Sequence, residues 1–393
     1  MSDAPSGKIY LPGDEPQIRL GIKFDTKPIW SELKRALGVD ATGAAIAIAA
    51  VEAERCGKAV SYSRSSDYYT NANRHPLMTL KKVRGQVDML TAAGWIVHYK
   101  QAPGGRGWQS AFEATPELVD AVEDIMEGRP RLKLVQPHRL TILRDGDGKP
   151  LDFRPTREID RRDRRTAGFN EAIASAEIIG LDGMNMACPM ARIYHQSMDR
   201  GGRFYGMGTS WQNIKSEARK ALTIDGEPVV ELDFKTLHPA ILYAEAGAIM
   251  PADCYDLPGW PRPLVKVAML TLINAPTISK ARFSIAHNNL IADMAEPGSQ
   301  KAIQLASGLI EAIKRKHTPI AGAFHSDAGA RLMRIDSEIA EAVMSILIAR
   351  KGIVTLPVHD SFLVPASRRD ELEEAMAQAA FDICKLEAQI EAK

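Results

Sequence analysis

The segment LPVHDSFLVP, residues 356–365, constrains the fold more than any other stretch of this 393-residue chain. Two apolar runs flank a polar triplet that contains His359 and Asp360. Short apolar runs on either side of a polar break predict two strands joined by a tight turn. A charged group among apolar residues is costly unless it has a partner or a task. The segment therefore predicts a hairpin that presents Asp360 at its bend.

A second apolar strand also ends in an aspartate. Residues 229–247, VVELDFKTLHPAILYAEAG, begin as a strand and become helical after Lys235, with Asp233 at the change. Taken alone, either aspartate is most simply a helix cap or a turn former, because Asp favours both positions. Between them in sequence, residues 261–275 form a predicted helix with a basic front.

The two aspartates and the basic helix together indicate phosphoryl chemistry. Two carboxylates can hold two divalent metals about 3.5–4 Å apart and clamp the attacking and leaving oxygens of an in-line displacement. Mg²⁺ suits this task because it shares oxygen ligands with substrate phosphates, and Mn²⁺ is an alternative. Arg262 and Lys266 lie four residues apart, on one helix face, where they can bind a triphosphate.

Composition sets broad limits. Apolar residues make up 45% of the chain and charged residues 25%, which is ordinary for a soluble globular protein of two or three domains. The net charge of +1 excludes a global basic excess, so nucleic-acid binding needs local patches. The four cysteines are far apart, the start lacks an apolar leader core, and no apolar run reaches about 20 residues. We expect a cytoplasmic protein that does not enter a membrane.

The first third predicts a small domain. After a loose tail (1–27), residues 28–125 read as helices, a long amphipathic helix that ends near Gly94, a hairpin and a final helix whose N-cap is Thr115. This order resembles a winged helix-turn-helix domain. The resemblance implies phosphate contacts by basic residues of the long helix and of the wing. These residues are Lys81, Lys82, Arg84 and Arg106. A protein-binding domain and a merely solvated basic face remain alternatives.

Residues 126–200 are predicted to be a helical bridge or thumb-like region. Its helix, residues 157–174, carries arginines nearly offset by acidic residues. A salt-bridged surface helix and a helix that tracks a nucleic-acid backbone remain equally open.

The region 201–393 carries a family resemblance. ELDFKTLHP, RPLVKVAMLTLINA and VHDSF resemble, in this order, motifs A, B and C of the DNA polymerase I family (A-family) and of the bacteriophage-type single-subunit RNA polymerases. WQNIKSEAR (211–219) is similar to the segment that precedes motif A. The resemblance covers about residues 211–365. It implies an α+β fold: the winged helix, then a polymerase palm with an antiparallel sheet and reduced helical fingers.

The resemblance also implies roles for single residues. The metals are expected on Asp233, Asp360 and the carbonyl of Phe234. The other expected contacts are to the incoming nucleotide by Arg262, Lys266, His238, Leu270 and Asn274, and to primer and template by Gln212, Asn213 and His359. Among these, Lys266 joins the two aspartates as an expected catalytic residue.

Departures from the motifs leave the sugar open. His238 stands five residues after Asp233, where the DNA polymerases have Glu and the RNA polymerases a small residue. Its imidazole can crowd a 2′-hydroxyl, hydrogen-bond one, or simply pack or cap a helix. Asn274 replaces a Tyr, Ala275 a Gly and Leu270 an aromatic residue or Met, and Ser361 replaces the second acid of VHDE.

The resulting functional prediction is a template-directed nucleotidyltransferase: an A-family-like DNA polymerase with primase ability, similar to compact primase-like polymerases of mobile elements. Its expected partners are DNA template and primer and nucleoside triphosphates, with a helicase or a single-strand-binding protein as a further option. The alternatives are an RNA-synthesising primase, a winged-helix replication initiator with an inactive palm, and a two-metal nuclease.

Overall fold

The computed structural model describes residues 17–20, 24–55, 57–69, 77–100, 110–129, 132, 139–180, 183–208 and 210–393. The chain divides into two compact units. Unit 1 comprises Met1–Leu140, Pro155–Ala191 and Tyr205–Val229, and unit 2 comprises Thr141–Arg154, Arg192–Phe204 and Val230–Lys393. Both contain helices and sheets, in agreement with the predicted α+β class.

The N-terminal part of unit 1 has one four-stranded sheet, in the order β1-β2-β4-β3. The β1–β2 pairing is parallel, and the β2–β4 and β3–β4 pairings are antiparallel. The elements are β1 (Gln17–Arg19), α1 (Trp30–Leu37), α2 (Ala41–Glu54), β2 (Ala59–Tyr62), α3 (Ser66–Tyr69), α4 (Leu80–Ala92), β3 (Ile96–Tyr99), β4 (Ser110–Ala114) and α5 (Pro116–Met126). Strand β1 lies within the segment expected to be a loose tail.

Local sequence signals explain the ends of these helices. The Asp40 side chain accepts hydrogen bonds from the N–H groups of Thr42 and Gly43 at 2.8 and 2.9 Å and caps α2. Gly94, at φ 78°, ends α4 as predicted, because few other residues adopt this conformation without strain. Thr115 precedes α5 as predicted, but its hydroxyl donates to the Gly94 and Trp95 carbonyls instead of capping the helix.

The middle of the chain contributes to both units. Its elements are β5 (Thr141–Arg144), β6 (Pro150–Leu151), α6 (Arg157–Ser175), β7 (Ile178–Ile179), β8 (Met190–His195), β9 (Ser197–Gly206), α7 (Ser216–Arg219), β10 (Thr223–Ile224) and β11 (Glu227–Phe234). Helix α6 confirms the predicted helix, and its Arg162 pairs with Glu158 at 2.5 Å. In unit 2, β5 pairs with β6 and runs parallel to β8.

Unit 2 contains the predicted motif segments. Its remaining elements are α8 (Leu237–Glu245), α9 (Arg262–Asn274), α10 (Ile278–Ala286), α11 (Gln300–Lys316), α12 (Ala328–Met344), β12 (Leu356–Val358), β13 (Ser361–Pro365), α13 (Arg369–Cys384) and β14 (Ile390–Ala392). The long helix α12 continues as a π-helix over Ser345–Arg350 and packs against α8, α9 and α13. The predicted strand-to-helix change at β11–α8, the helix α9 and the β12–β13 hairpin are all confirmed.

The sheet of unit 2 places the acidic residues. Strand β13 lies between β12 and β11, and the end of β11 also pairs antiparallel with β14. Phe234 of β11 and Phe362 of β13 meet edge to face beneath the bend, with ring centroids 6.4 Å apart. Apolar packing therefore joins β11, which carries Asp233, to β13, which follows Asp360.

Among the described helices, no single one has the length and apolar content to cross a membrane. Lys27–Leu37 and Ala41–Glu54 reach that length only as a pair bent by 91°.

Candidate active site

The two predicted metal-binding aspartates come together in unit 2. Asp233 is the penultimate residue of β11, and Asp360 is the second turn residue of the β12–β13 hairpin. The N–H of Phe234 donates to the carbonyl of Asp360 at 3.3 Å, which ties the bend to the end of β11. The hairpin has a two-residue turn, since Val358 pairs directly with Ser361.

Asp233 lies in an environment that favours a cation. Its side chain is 18% exposed, and its Oδ1 is buried without a hydrogen-bond donor. Burial, and next the charge of Asp360, raise the pKa of the Asp233 carboxyl to about 6. Lys393 opposes this shift, because its Nζ lies 3.1 Å from Asp233 Oδ2. The amine comes from the end of β14, whose Glu391 pairs in register with Asp233.

This environment fits a divalent metal ion. A bound cation stabilises a buried carboxylate oxygen that lacks a hydrogen-bond donor and lies beside a second carboxylate. Among the described residues, no three His, Cys, Asp or Glu side chains form a metal-binding group, so a metal here needs further oxygens from backbone and phosphate. Asp233, Asp360 and the Phe234 carbonyl are the residues that would hold it. A metal held there would supply charge to activate a hydroxyl nucleophile and to neutralise phosphate.

A third carboxylate, not predicted as a site residue, lies beside the aspartates. Glu231 is two residues before Asp233, so its side chain is on the same face of β11. It is 7% exposed and accepts a hydrogen bond from the Ser361 hydroxyl at 2.7 Å. Ser361 occupies the position where the related motif has its second acid. Glu231 of the neighbouring strand β11 thus brings a carboxylate to Ser361, the position that lacks an acid of its own.

The predicted triphosphate-binding pair shares one face of α9. Arg262 and Lys266 both lie over the ring of Tyr255, at 5.3 and 5.9 Å from its centroid. Asp253 holds the Arg262 guanidinium through contacts of 2.7 and 3.3 Å. These hydrogen bonds are the main cause of the raised pKa of Arg262, and Glu391 of β14 adds to it. Arg262 is about half exposed, so an anion can compete with Asp253 for it.

Leu270 and Asn274 line an open cavity of about 440 Å³ between α9 and α10. The Asn274 amide donates to the Leu270 carbonyl at 2.7 Å. Helix α12 passes so close that a Cβ on Gly329 would lie 1.7 Å from Asn274 Oδ1. Leu270 and Asn274, two of the predicted nucleotide contacts, therefore lie on the same wall of the cavity. The shape of that wall depends on Gly329 of α12.

His238 is the second residue of α8, and its side chain is 11% exposed. Its Nε2 contacts Oδ2 of the fully buried Asp336 at 2.8 Å, and Arg203 of β9 donates to both oxygens of that carboxylate. The His238 ring is therefore held by a polar contact to the Arg203–Asp336 pair and not by apolar packing alone. Sequence reasoning missed this pair, although an acid within the apolar stripe of α12 was a signal.

His359 is the first residue of the turn, at φ 61°, where a non-glycine residue is strained. Burial, and then the charge of Arg203, lower the pKa of its imidazole, which favours the neutral ring. The turn that presents Asp360 therefore carries its backbone strain at His359, the residue before it.

The other predicted nucleic-acid contacts belong to unit 1. Gln212 and Asn213 lie in the 3₁₀-helix Trp211–Asn213. Gln212 Oε1 accepts from the Gly206 N–H at 2.9 Å, and Asn213 Oδ1 accepts from the Ser210 hydroxyl at 3.0 Å. Both amides thus help to close the turn after β9, and their contact with a primer-template stays a prediction.

The predicted basic residues of the N-terminal domain lie at the start of α4. Lys81, Lys82 and Arg84 are exposed, and none of them forms an ion pair within the described part of the chain. Arg106 and the expected tip of the hairpin lie outside the described residues. A DNA-binding role for this surface stays a prediction.

Comparisons with known proteins add little to this geometry. No protein-family model and no curated protein matches the chain. Among solved structures, the chain is similar to the POL domain of Pol1 from M. smegmatis in complex with DNA primer-template and dNTP. The TM-score is 0.36 and the identity 14%, over 95% of this chain, which spans 66% of the length of that one. A likeness at this level shows neither the fold nor the activity of this chain.

Proposed function

We propose that this chain is a DNA-templated nucleotidyltransferase of the polymerase and primase class that uses two divalent metal ions. The observation that carries the proposal is the pair Asp233 and Asp360 at adjacent strand ends, with a buried Asp233 oxygen that lacks a donor and a raised carboxyl pKa. Strongly shifted carboxyls in such pairs are typical of catalytic sites.

The basic face of α9 supports the same proposal. Arg262 and Lys266 lie over one aromatic ring and supply two positive charges for a triphosphate. Phosphoryl transfer depends mainly on positioning and on charge neutralisation, so carboxylates for metal and cations for phosphate are the main requirements. A two-metal nuclease has no need of the basic pair.

Starting strands as well as extending them is part of the proposal. A ribonucleotide-synthesising primase is the second candidate. Where the DNA polymerases have a Glu, this chain has His238, whose ring is held by the buried carboxylate of Asp336. A replication initiator with an inactive palm is disfavoured, since both aspartates and both basic residues of α9 are present.

The test is strand synthesis with Mg²⁺ on a single-stranded DNA template, with and without primer, and with ribo- or deoxynucleotides. Asp360→Ala should abolish synthesis, whereas Asp199→Asn, at an exposed position of β9, should not change it. Product from Asp360→Ala would refute the two-metal assignment. Product from the wild-type protein only when a primer is supplied would refute the ability to start strands.

A further inference from the structure

A buried acid interrupts the apolar face of α12. Asp336 has a fully buried side chain, and its helical neighbours Leu332 and Ile339 are buried as well. A buried carboxylate is costly unless it is paired and hydrogen-bonded. Its partners are Arg203 and His238, both in unit 2. A buried acid in this position indicates that Asp336 acts on Arg203 or on His238.

The contacts fix where the proton of His238 lies. The Arg203 guanidinium donates to both carboxylate oxygens of Asp336, so these oxygens act as acceptors in the pair. Nε2 of His238 lies 2.8 Å from Asp336 Oδ2 and 3.4 Å from the Arg203 guanidinium. The shorter contact, to an acceptor, places the hydrogen of a neutral His238 ring on Nε2. Nδ1 is then an acceptor, and no described residue hydrogen-bonds to it. Arg203 contributes by holding both oxygens of Asp336 as acceptors.

The same contacts fix the ring in place. His238 stands on the first turn of α8, which begins three residues after Phe234. The side chain keeps 11% of its surface exposed. A held ring with one available acceptor atom suits recognition of a single hydroxyl.

We propose that Asp336 is a positioning residue that keeps His238 in the Nε2–H form, so that Nδ1 accepts a hydrogen bond from the 2′-hydroxyl of the incoming nucleotide. The substrates are then ribonucleoside triphosphates. This inference rests on the proposed function and settles its sugar. A deoxynucleotide leaves Nδ1 without a donor, and sites built to bind a hydroxyl discriminate against analogues that lack it.

Two variants and one spectrum test the inference. Asn at position 336 can accept from Arg203 through Oδ1 and donate to His238 Nε2 through its amide, which moves the ring proton to Nδ1. ¹⁵N NMR of the nucleotide-free protein should find the His238 proton on Nε2 in the wild type and on Nδ1 in Asp336→Asn. In steady-state synthesis, Asp336→Asn and His238→Ala should each lower kcat/KM for ribonucleotides by about 10- to 100-fold, mainly through KM. Deoxynucleotide kcat/KM should change less than about threefold, and Asp199→Asn should change neither.

The outcomes separate this inference from the function on which it rests. A wild-type His238 protonated on Nδ1 overturns the inference, and this result needs no variant to fold. Higher ribonucleotide use by His238→Ala also overturns it, because the ring is then a barrier to the 2′-hydroxyl. Synthesis with unchanged sugar preference in both variants refutes the inference alone. Failure of the wild-type protein to incorporate either nucleotide refutes the proposed function as well.

Discussion

Replacing Asp233 with Asn should stabilise the metal-free protein while it abolishes synthesis. The folded protein holds a carboxylate whose pKa is raised from 3.8 to about 6 by burial and by Asp360. A shift of about two pH units corresponds to roughly 3 kcal/mol against the folded state above pH 6. Burial of an incompletely paired amide takes back about 1–2 kcal/mol. We therefore expect Asp233→Asn to be about 1–2 kcal/mol more stable at pH 7.5.

The pH dependence gives the sign of the effect. Between pH 3.8 and about 6, folded Asp233 binds a proton that the unfolded chain has released, so the wild type loses stability as the pH rises through this window. The penalty is absent below pH 4 and complete above pH 6. The stability difference between variant and wild type should therefore increase over the same interval.

Urea unfolding at several pH values in EDTA measures this difference, with Asp199→Asn as the control for loss of an exposed charge. Repeating the series with Mg²⁺ adds a second readout, because a ligand that binds only the folded state stabilises it. Mg²⁺ should stabilise the wild type and not Asp233→Asn. A variant that is less stable at pH 7.5 in EDTA and equally stabilised by Mg²⁺ would refute the reasoning.

Three further changes probe other parts of the account. Asp253→Asn should lower the KM for nucleotides severalfold by releasing Arg262, and an unchanged KM would mean that Arg262 does not bind them. Gly329→Ala should cost about 1–3 kcal/mol in urea unfolding and weaken nucleotide binding, because its Cβ overlaps Asn274, whereas Gly322→Ala meets open space. Lys81→Glu, Lys82→Glu and Arg84→Glu together should weaken DNA binding in fluorescence anisotropy and reduce the salt slope by about three. Lys34→Glu and Arg35→Glu, at two exposed positions of α1, should not, and an equal loss per reversed charge in both sets would remove α4 as the DNA-binding face.

The sequence predicted the segments of the candidate site because each has a local signal. Strand β11 ends where the apolar run ends, and the polar triplet in LPVHDSFLVP marks the hairpin turn, although its third residue, Ser361, already belongs to β13. The approach of Asp233 to Asp360 was expected from the motif order. The strained φ of His359 was not, since a histidine at a turn position announces no particular backbone conformation.

Residues distant in sequence account for what was missed. Lys393 reaches Asp233 only because β14 pairs with β11, and a three-residue strand at this separation has no periodicity to read. Asp253 accepts a hydrogen bond from Arg262 and lies in a loop, which has no periodic pattern. Asp336 and Glu231 were detectable in principle, one as an acid in an apolar helical stripe and the other as the same-face neighbour of Asp233. The missed contacts mostly balance charge around the predicted residues.

Template control of the added nucleotide tests the central claim most directly. On primed templates that differ only in the first unpaired base, with all four nucleotides and Mg²⁺ present, the first residue added should be the complement of that base on each template. The same first residue on every template, or no addition at all, would contradict a DNA-templated nucleotidyltransferase.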